Sequence, residues 1–245
     1  MFNLDKKTIL SLTITALLAM TNVMVSADEK LQFKSAASFD VNSDYVWRGF
    51  LLDDDPVMQM GISVRKFGLT ATLWGSIDME NKDNRTSEEI DYILDFTHKL
   101  TDKLSISLGH TYYDYPLTSL YSREFYAGIS LDYFLSPKLY WYRDYGKEIT
   151  GGGKGDYISL DLSKTVPISG TNWTIGLTGH AGYNDKLFIK GSGGNACIIV
   201  GLSIPINEKT TVSPSIVYSL PFGDVKASSD GNQNDRVFGG VNFSF

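Results

Sequence analysis

Apolar and polar residues alternate along most of the chain, and this period of two is the repeat of a β-strand. Between residues 58 and 64 every second residue is apolar, and small or polar residues lie between them. The chain ends with the same pattern, because residues 237–245 place valine, glycine and phenylalanine at alternate positions. With a first strand from 33 to about 50, the pattern predicts about twelve strands.

The connections between these strands alternate in length. Short turns are predicted at 66–68, 101–103, 135–137, 167–172 and 207–209. Longer polar segments lie between them at 51–56, 80–87, 116–122, 148–155, 185–194 and 223–234. Barrels of the bacterial outer membrane combine tight periplasmic turns with long extracellular loops and an even number of strands. A Greek-key sandwich gives no reason for this order, so we predict an all-β fold, a single antiparallel up-and-down transmembrane β-barrel.

A closed barrel also pairs its own backbone, which matters because an unpaired N–H or C=O in hydrocarbon costs several kcal/mol. Tyrosine and tryptophan cluster near the predicted strand ends, where rings with a polar edge suit a membrane interface. The alternative is a sandwich core rich in tyrosine. The predicted aromatic girdle contains Tyr45, Trp47, Tyr112, Tyr133, Trp141 and Phe243. Phe245 is predicted to end the closing strand on the periplasmic side and to serve as the C-terminal assembly signal.

The N-terminal segment has the order of a secretory signal peptide. Lys6 and Lys7 precede an apolar run at 9–20, and small residues at 25–27 offer a cleavage site. The run is shorter than the roughly 20 apolar residues that a membrane-spanning helix needs. We therefore predict a signal peptide at 1–27, export through the Sec pathway, and an outer-membrane barrel of a Gram-negative bacterium at 28–245.

Composition narrows the classes of function. The formal net charge is −6, which argues against nucleic acid as a partner. Cys197 is the only cysteine, so no intramolecular disulfide can form in the exported chain. The expected partners are outer-membrane lipid and lipopolysaccharide, the barrel-assembly machinery and small solutes. Neither a cofactor nor a metal ion is predicted.

The face opposite the apolar one carries many charged residues, which would be costly in a packed core but not in a wet lumen. The predicted pore-lining residues are Asp40, Asp44, Arg48, Gln59, Arg65, Asp91, Asp95, Asp132, Asp161 and His180. Carboxylates outnumber basic groups in this set, which predicts a porin with passive passage and weak cation preference. Barrels of about 8 strands are filled and those of 16–18 are open, so a plugged, non-conducting barrel whose outer loops bind a partner or ligand remains the alternative.

Asp44 and Arg48 lie four residues apart on one face of the predicted first strand. They could form a charged constriction near the outer rim. The favoured interpretation is a structural ion pair that anchors the first strand. The nearby acidic run at 53–55 could bind a divalent ion or bridge lipopolysaccharide, but a solvated acidic loop is favoured.

Enzymatic signals are weak. The glycine-rich segment 151–155 lacks the spacing and the Ser or Thr of a phosphate-binding loop. The segment from Asp230 to Asn234 lacks the glycine and glutamate of a calcium loop. A lipid hydrolase needs a histidine and a nucleophile near the outer interface. His110 is predicted to lie at a suitable height, but no motif identifies a serine that would act with it. We therefore predict that the chain is not an enzyme.

The segment Ser-Asp-Tyr-Val-Trp-Arg-Gly-Phe at 43–50 resembles the opening of the TorF-type porins, which are exported proteins of Gram-negative bacteria. Further similarity lies at 112–116, at 136–145 and in the Gly-Asp-Tyr at 155–157. These loose aromatic and Gly/Asp patterns span most of the mature chain. The resemblance implies an outer-membrane barrel that is assigned as a porin mainly by its shape, with no catalytic residues to carry over.

Overall fold

The computed structural model describes residues 33–80, 88–228 and 234–245, and twelve of its strands form one closed antiparallel barrel. The wall strands are β1 (Lys34–Asn42), β4 (Val57–Lys66), β5 (Leu69–Asp78), β6 (Glu89–Lys99), β7 (Leu104–Tyr115), β8 (Leu120–Leu131), β9 (Lys138–Asp144), β10 (Asp156–Pro167), β11 (Thr174–Asp185), β12 (Ser192–Pro205), β13 (Thr211–Gly223) and β14 (Arg236–Ser244). Two short strands, β2 (Tyr45–Trp47) and β3 (Phe50–Asp53), form a separate hairpin. A 3₁₀ helix at Glu148–Thr150 follows β9. The predicted all-β up-and-down barrel is confirmed, whereas the predicted signal peptide at 1–27 lies outside the described residues.

The last strand closes the barrel against the first. The backbones of Ala37 and Phe245 exchange two hydrogen bonds of 3.1 and 2.9 Å, and Phe39 lies opposite Phe243. Val237 on β14 and Phe245, directly after that strand, are 67% and 57% exposed. The predicted outward face of the closing strand is therefore present, while the role of Phe245 in assembly stays a prediction.

The two faces of the wall differ as a membrane barrel requires. Large apolar side chains point outward and are exposed, including Leu94, Leu108, Ile129, Leu177 and Ile216. Small polar side chains such as Ser76, Ser107, Thr111, Ser159 and Ser219 point inward and are buried. An apolar outside around a polar inside is the arrangement of barrels in hydrocarbon. No helix among the described residues is long and apolar enough to span a membrane, a criterion that concerns helices alone.

The predicted first strand was too long. It ends at Asn42, and the predicted loop at 51–56 contains most of β3. The chain reverses at Arg48 and Gly49, where φ is 51° and 85°, and alternation alone does not reveal a two-residue turn between two short strands. The strict short–long order also fails, because β8 and β12 begin early and leave connections of only 116–119 and 186–191.

The aromatic girdle needs one correction. Tyr112 and Trp141 lie on the outer face, where Tyr112 stacks on Tyr121 at 5.6 Å. Phe243 also faces outward, beside Phe39, and Tyr133 is exposed in the turn after β8. Tyr45 and Trp47 belong to the hairpin instead and lie inside the barrel, so they are not part of an outward belt.

Candidate functional site: a hairpin across the lumen

The connection between β1 and β4 folds inward as the hairpin of residues 45–53, which we name the lumen hairpin. Trp47 pairs with Phe50, and Arg48 and Gly49 both have positive φ between them. This is the geometry of a type I′ turn, which fits the twist of two paired strands. Glycine adopts such a φ freely, but arginine rarely does, so the surroundings of Arg48 must hold it in place.

The tip of the lumen hairpin reaches the far wall. Arg48 contacts Glu124 on β8, Tyr142 on β9 and Tyr157 on β10. In the barrel order these three strands stand opposite β1 and β4, from which the hairpin starts. The lumen hairpin therefore crosses the full width of the lumen.

Arg48 is fixed by charge and by aromatic rings, an arrangement we name the Arg48 clamp. Its Nη1 and Nη2 atoms donate to the two carboxylate oxygens of Glu124 at 2.7 and 2.8 Å. The guanidinium carbon lies 4.4 Å from the ring centroids of Trp47, Tyr142 and Tyr157. The side chains of Arg48 and Glu124 are only 10% and 2% exposed. A bidentate pair with stacked rings is the strong form of an arginine contact.

The ionisation of Arg48 follows from this environment. Burial alone would lower the pKa of the guanidinium, but the charge and hydrogen bonds of Glu124 raise that pKa above its ordinary value. The tip therefore carries a full positive charge that is matched by one carboxylate. The hydroxyl of Tyr113 donates a further hydrogen bond of 3.0 Å to the same carboxylate.

The base of the lumen hairpin is anchored separately. The hydroxyl of Tyr45 donates to Glu89 at 2.7 Å, and the Tyr45 ring lies 6.0 Å from that of Trp74. Burial and the charge of Glu89 raise the pKa of Tyr45 well above its ordinary value, so this hydroxyl stays a donor. Asp44, just before the hairpin, is bound by Arg236 of β14.

These contacts correct two expectations about the opening segment. Asp44 and Arg48 do not pair with each other, because the chain turns inward between them and each meets a partner on another strand. The acidic run is not a wholly solvated loop, because Asp53 is completely buried and accepts a hydrogen bond from the backbone of Asp55 at 2.9 Å. Within the described ranges, no cluster of three His, Cys, Asp or Glu residues could hold a metal ion.

Outer loops cover the tip of the lumen hairpin. A Cβ atom placed on Gly49 would lie 2.7 Å from Asn195 and 3.3 Å from Val225. Phe188, in the connection after β11, lies 5.8 Å from Trp47, and its neighbour Leu187 is completely buried. The hairpin is therefore held from three sides, by the far wall and by the connections after β11 and β13.

A chain of hydrogen bonds supports the ring under Arg48. Asp161 bonds Nδ1 of His180 at 2.7 Å, and Nε2 of His180 bonds the hydroxyl of Tyr157 at 2.8 Å. That hydroxyl also donates to Asn195 at 2.8 Å. Beside it lies a cavity of about 470 Å³, whose lining includes Arg48, Asp161, His180, Cys197, Ser219 and Phe238. The part of the lumen next to β10–β14 thus combines charged, polar and aromatic groups.

Most of the predicted pore-lining residues face the lumen. Asp40 accepts from Asn242 at 2.8 Å and Asp95 accepts from Tyr126 at 3.0 Å. Gln59 lies between Asn42 and Ser76, at 3.1 and 3.5 Å, and Asp91 is buried on the same face. These inward placements agree with the prediction, but that the residues line a conducting path stays a prediction.

Two other predicted residues lie at the edge of the wall. Arg65 is exposed near the end of β4, beside the short turn. Asp132 lies in the turn after β8, because that strand ends at Leu131, so it is not part of the wall. Glu89 and Glu124 were not among the predicted lumen residues. Glu89 shares the inward face of β6 with Asp91, whereas Glu124 points inward from β8, which contributes no predicted residue.

The segments that resemble TorF-type porins meet at the lumen hairpin. Residues 43–50 form its first half and its turn. Tyr113, from the segment at 112–116, lies 6.3 Å from Trp47 and bonds Glu124. Tyr157, from the segment at 155–157, forms one face of the Arg48 clamp. Motifs that look scattered in the sequence therefore build one structural unit.

Residues 26–197 match the model of a family described as "Bacterial protein of unknown function (Gcw_chp)". The match covers more than half of the chain and includes the lumen hairpin and the strands that receive it. The chain belongs to the Gcw_chp family. No curated protein matches its sequence.

Solved structures show where the Gcw_chp barrel stands among known folds. It is similar to "KdgM porin", with a TM-score of 0.55 and 12% identity over 86% of this chain and 98% of that one. It is also similar to "NanC porin structure in rhombohedral crystal form", with a TM-score of 0.52 and 10% identity over 86% and 99% of the two chains. At these identities the likeness establishes a shared porin barrel fold.

A substitution on β11 tests the packing beneath the Arg48 clamp. A Cβ on Gly182 would overlap the hydroxyl of Tyr157, so Gly182→Ala should displace that ring and weaken its bonds to His180 and Asn195. We expect a loss of about 1–3 kcal/mol of unfolding free energy, as for overpacking in a core. Urea unfolding in detergent measures it. Gly179→Ala on the same strand is the control, because nothing lies within 4 Å of the added methyl; equal losses would contradict the prediction.

Proposed function

We propose that this Gcw_chp protein is an outer-membrane porin of Gram-negative bacteria that gives small solutes a narrow, passive path with weak preference for cations. Its export through the Sec pathway and its insertion by the barrel-assembly machinery belong to the same proposal. The observation that carries it is the closed barrel with an apolar outside, a polar inside and a hairpin across the lumen. The assignment to the TorF-type porins is supported by the resembling segments that meet at the hairpin.

The charges inside the barrel favour cations. The guanidinium groups of Arg48 and Arg236 are each matched by a carboxylate. Two other inward carboxylates have neutral hydrogen-bond partners, namely Asn242 for Asp40 and Tyr126 for Asp95. The excess charge of this part of the lumen is therefore negative, and acidic linings favour cations.

Reversal potentials in planar bilayers test this preference. In a KCl gradient the protein should give a potential of the sign that marks potassium over chloride. Asp95→Asn should reduce that potential, because it removes a lumen carboxylate whose partner is neutral. Asp132→Asn is the matched control, since Asp132 lies in a turn outside the wall, and it should leave the potential unchanged.

An anion-selective potential would overturn the cation preference. Absence of conductance, together with no swelling of liposomes in small sugars, would overturn the porin itself. That result would favour a non-conducting barrel whose outer loops bind a partner. The complete burial of Leu187 and Val225 over the hairpin supports the closed lumen of such a barrel. The hydrolase hypothesis gains no support, because Nε2 of His110 bonds the hydroxyl of Tyr145 at 2.5 Å rather than a serine.

A further inference from the structure

An arginine on the outer wall has no counter-charge among the residues that the structure describes. Arg123 lies on β8 beside Glu124, and because Glu124 points into the lumen, Arg123 points outward. It is three residues from the start of β8 at the end of the barrel that carries the lumen hairpin. Its carbonyl accepts a hydrogen bond of 3.0 Å from the backbone of Tyr145, so its position is fixed by the wall.

The guanidinium of Arg123 is held by rings rather than by a carboxylate. Its central carbon lies 5.7 Å from the ring of Tyr121 and 5.4 Å from that of Tyr145. The Nε atom is buried and has no hydrogen-bond partner within the described part of the chain. The nearby Asp114 also faces outward, on β7 opposite Tyr121. An unmatched, half-buried guanidinium is costly unless an anion reaches it.

A second outward arginine on the next strand shows the contrast. Arg143 on β9 forms an ion pair with Asp156, and the indole of Trp141 donates to the same carboxylate at 3.0 Å. Arg143 therefore has a counter-charge within the protein, whereas Arg123 at a similar height has none in the described ranges. The difference singles out Arg123 as the position where an external anion would complete the site.

The surroundings of Arg123 indicate what kind of anion fits. On the side away from the rim the wall exposes Leu108, Phe125 and Ile129, which suit acyl chains. Around the guanidinium the stacked rings of Tyr112 and Tyr121 suit the headgroup region. A charged side chain facing lipid is costly at the midplane of the bilayer and far less so near the interface, so this height suits a headgroup contact.

We propose that Arg123, with Tyr121 and Tyr145, binds a phosphate of the outer-leaflet lipid, that is, of the lipid A part of lipopolysaccharide. The guanidinium donates to phosphate oxygens in the bidentate geometry that arginine favours. The acyl chains of the same molecule pack along Leu108 and Phe125. This site rests on the membrane location in the proposed function but not on conductance through the lumen.

Native mass spectrometry of the detergent-purified protein tests the site with bisphosphorylated lipid A as the probe. Arg123→Gln should lower the retained lipid A about tenfold, as expected for the loss of a charged hydrogen-bond pair. Arg143→Gln, the control, should bind like the wild type because Asp156 already occupies that arginine. Arg123→Lys should recover part of the binding. Heat-modifiable migration in gels checks that each variant is a folded barrel.

Competition distinguishes the source of the phosphate. Lipid A without its phosphates should bind weakly to the wild type, at the level that bisphosphorylated lipid A shows with Arg123→Gln. Inorganic phosphate should not displace bisphosphorylated lipid A from the wild type. Equal retention by Arg123→Gln and wild type would overturn the site. Displacement by inorganic phosphate would overturn the lipid as its ligand and identify a free-phosphate site. A barrel that binds lipid A but shows no conductance would leave this site in place and overturn the porin alone.

Discussion

Replacing residues 45–53 by a short glycine–serine linker should raise the single-channel conductance several-fold. The lumen hairpin runs from the β1–β4 side to Glu124, Tyr142 and Tyr157 on the opposite wall, so it obstructs ion flow through the lumen. Twelve-stranded barrels lie between filled and open sizes, which means that an internal segment decides how much of the lumen stays open. Planar bilayer recordings of the purified variant measure the effect.

The control for this variant replaces Glu148–Thr150 by the same kind of linker. That 3₁₀ segment lies in an outer connection, and Ile149 within it is 87% exposed. Its replacement should leave the conductance unchanged. If the variant without the hairpin conducts no better than the wild type, the hairpin is not the constriction, and another part of the barrel limits the current.

Arg48→Met should cost about 3–5 kcal/mol of unfolding free energy, the range found when one partner of a buried ion pair is removed. The carboxylate of Glu124 is almost fully buried, and of its hydrogen-bond donors among the described residues only the hydroxyl of Tyr113 remains in the variant. Urea unfolding in detergent, followed by tryptophan fluorescence, is the measurement. Arg48→Met combined with Glu124→Gln should recover most of the loss, because no uncompensated charge then remains.

Arg143→Met provides the comparison for an exposed ion pair. The side chains of Arg143 and Asp156 are 47% and 29% exposed, and such pairs contribute about 0–1 kcal/mol. A loss for Arg48→Met as small as that for Arg143→Met would show that the Arg48 clamp does not hold the hairpin in place. A double variant less stable than Arg48→Met alone would contradict the charge argument in particular.

The barrel wall could be predicted from the sequence because the alternation of apolar and polar residues is visible within each strand by itself. Each spanning strand must present apolar residues outward and polar or small residues inward, so the period of two is repeated in segments such as Val57–Lys66 and Leu104–Tyr115. The order of turns and loops then indicates closure and orientation. Alternation does not fix where a strand begins or ends, so the predicted connections at 116–122 and 185–194 were longer than the observed ones at 116–119 and 186–191.

The lumen hairpin could not be predicted by the same rule. Its strands have only three and four residues, too few for alternation to identify a face, and it is buried by contacts distant in sequence. Tyr45 and Trp47 are amphipathic rings near the end of a wall strand, a description that fits a membrane belt and a packed lumen equally well. Only the closed wall brings Arg48 next to Glu124, 76 residues further along the chain.

The lumen hairpin also bears on the order in which the molecule is assembled. It is attached at both ends to strands next to the seam, where β1 pairs with β14 over five residue pairs and with β4 over nine. While β1 and β14 are still unpaired, the chain is a curved sheet with two free edges. The cationic tip can then move from water onto the concave face, where Glu124 lies. Once β14 has paired with β1, the guanidinium could reach the far wall only by entering through the end of the closed barrel. We therefore expect the tip to dock before β14 pairs with β1.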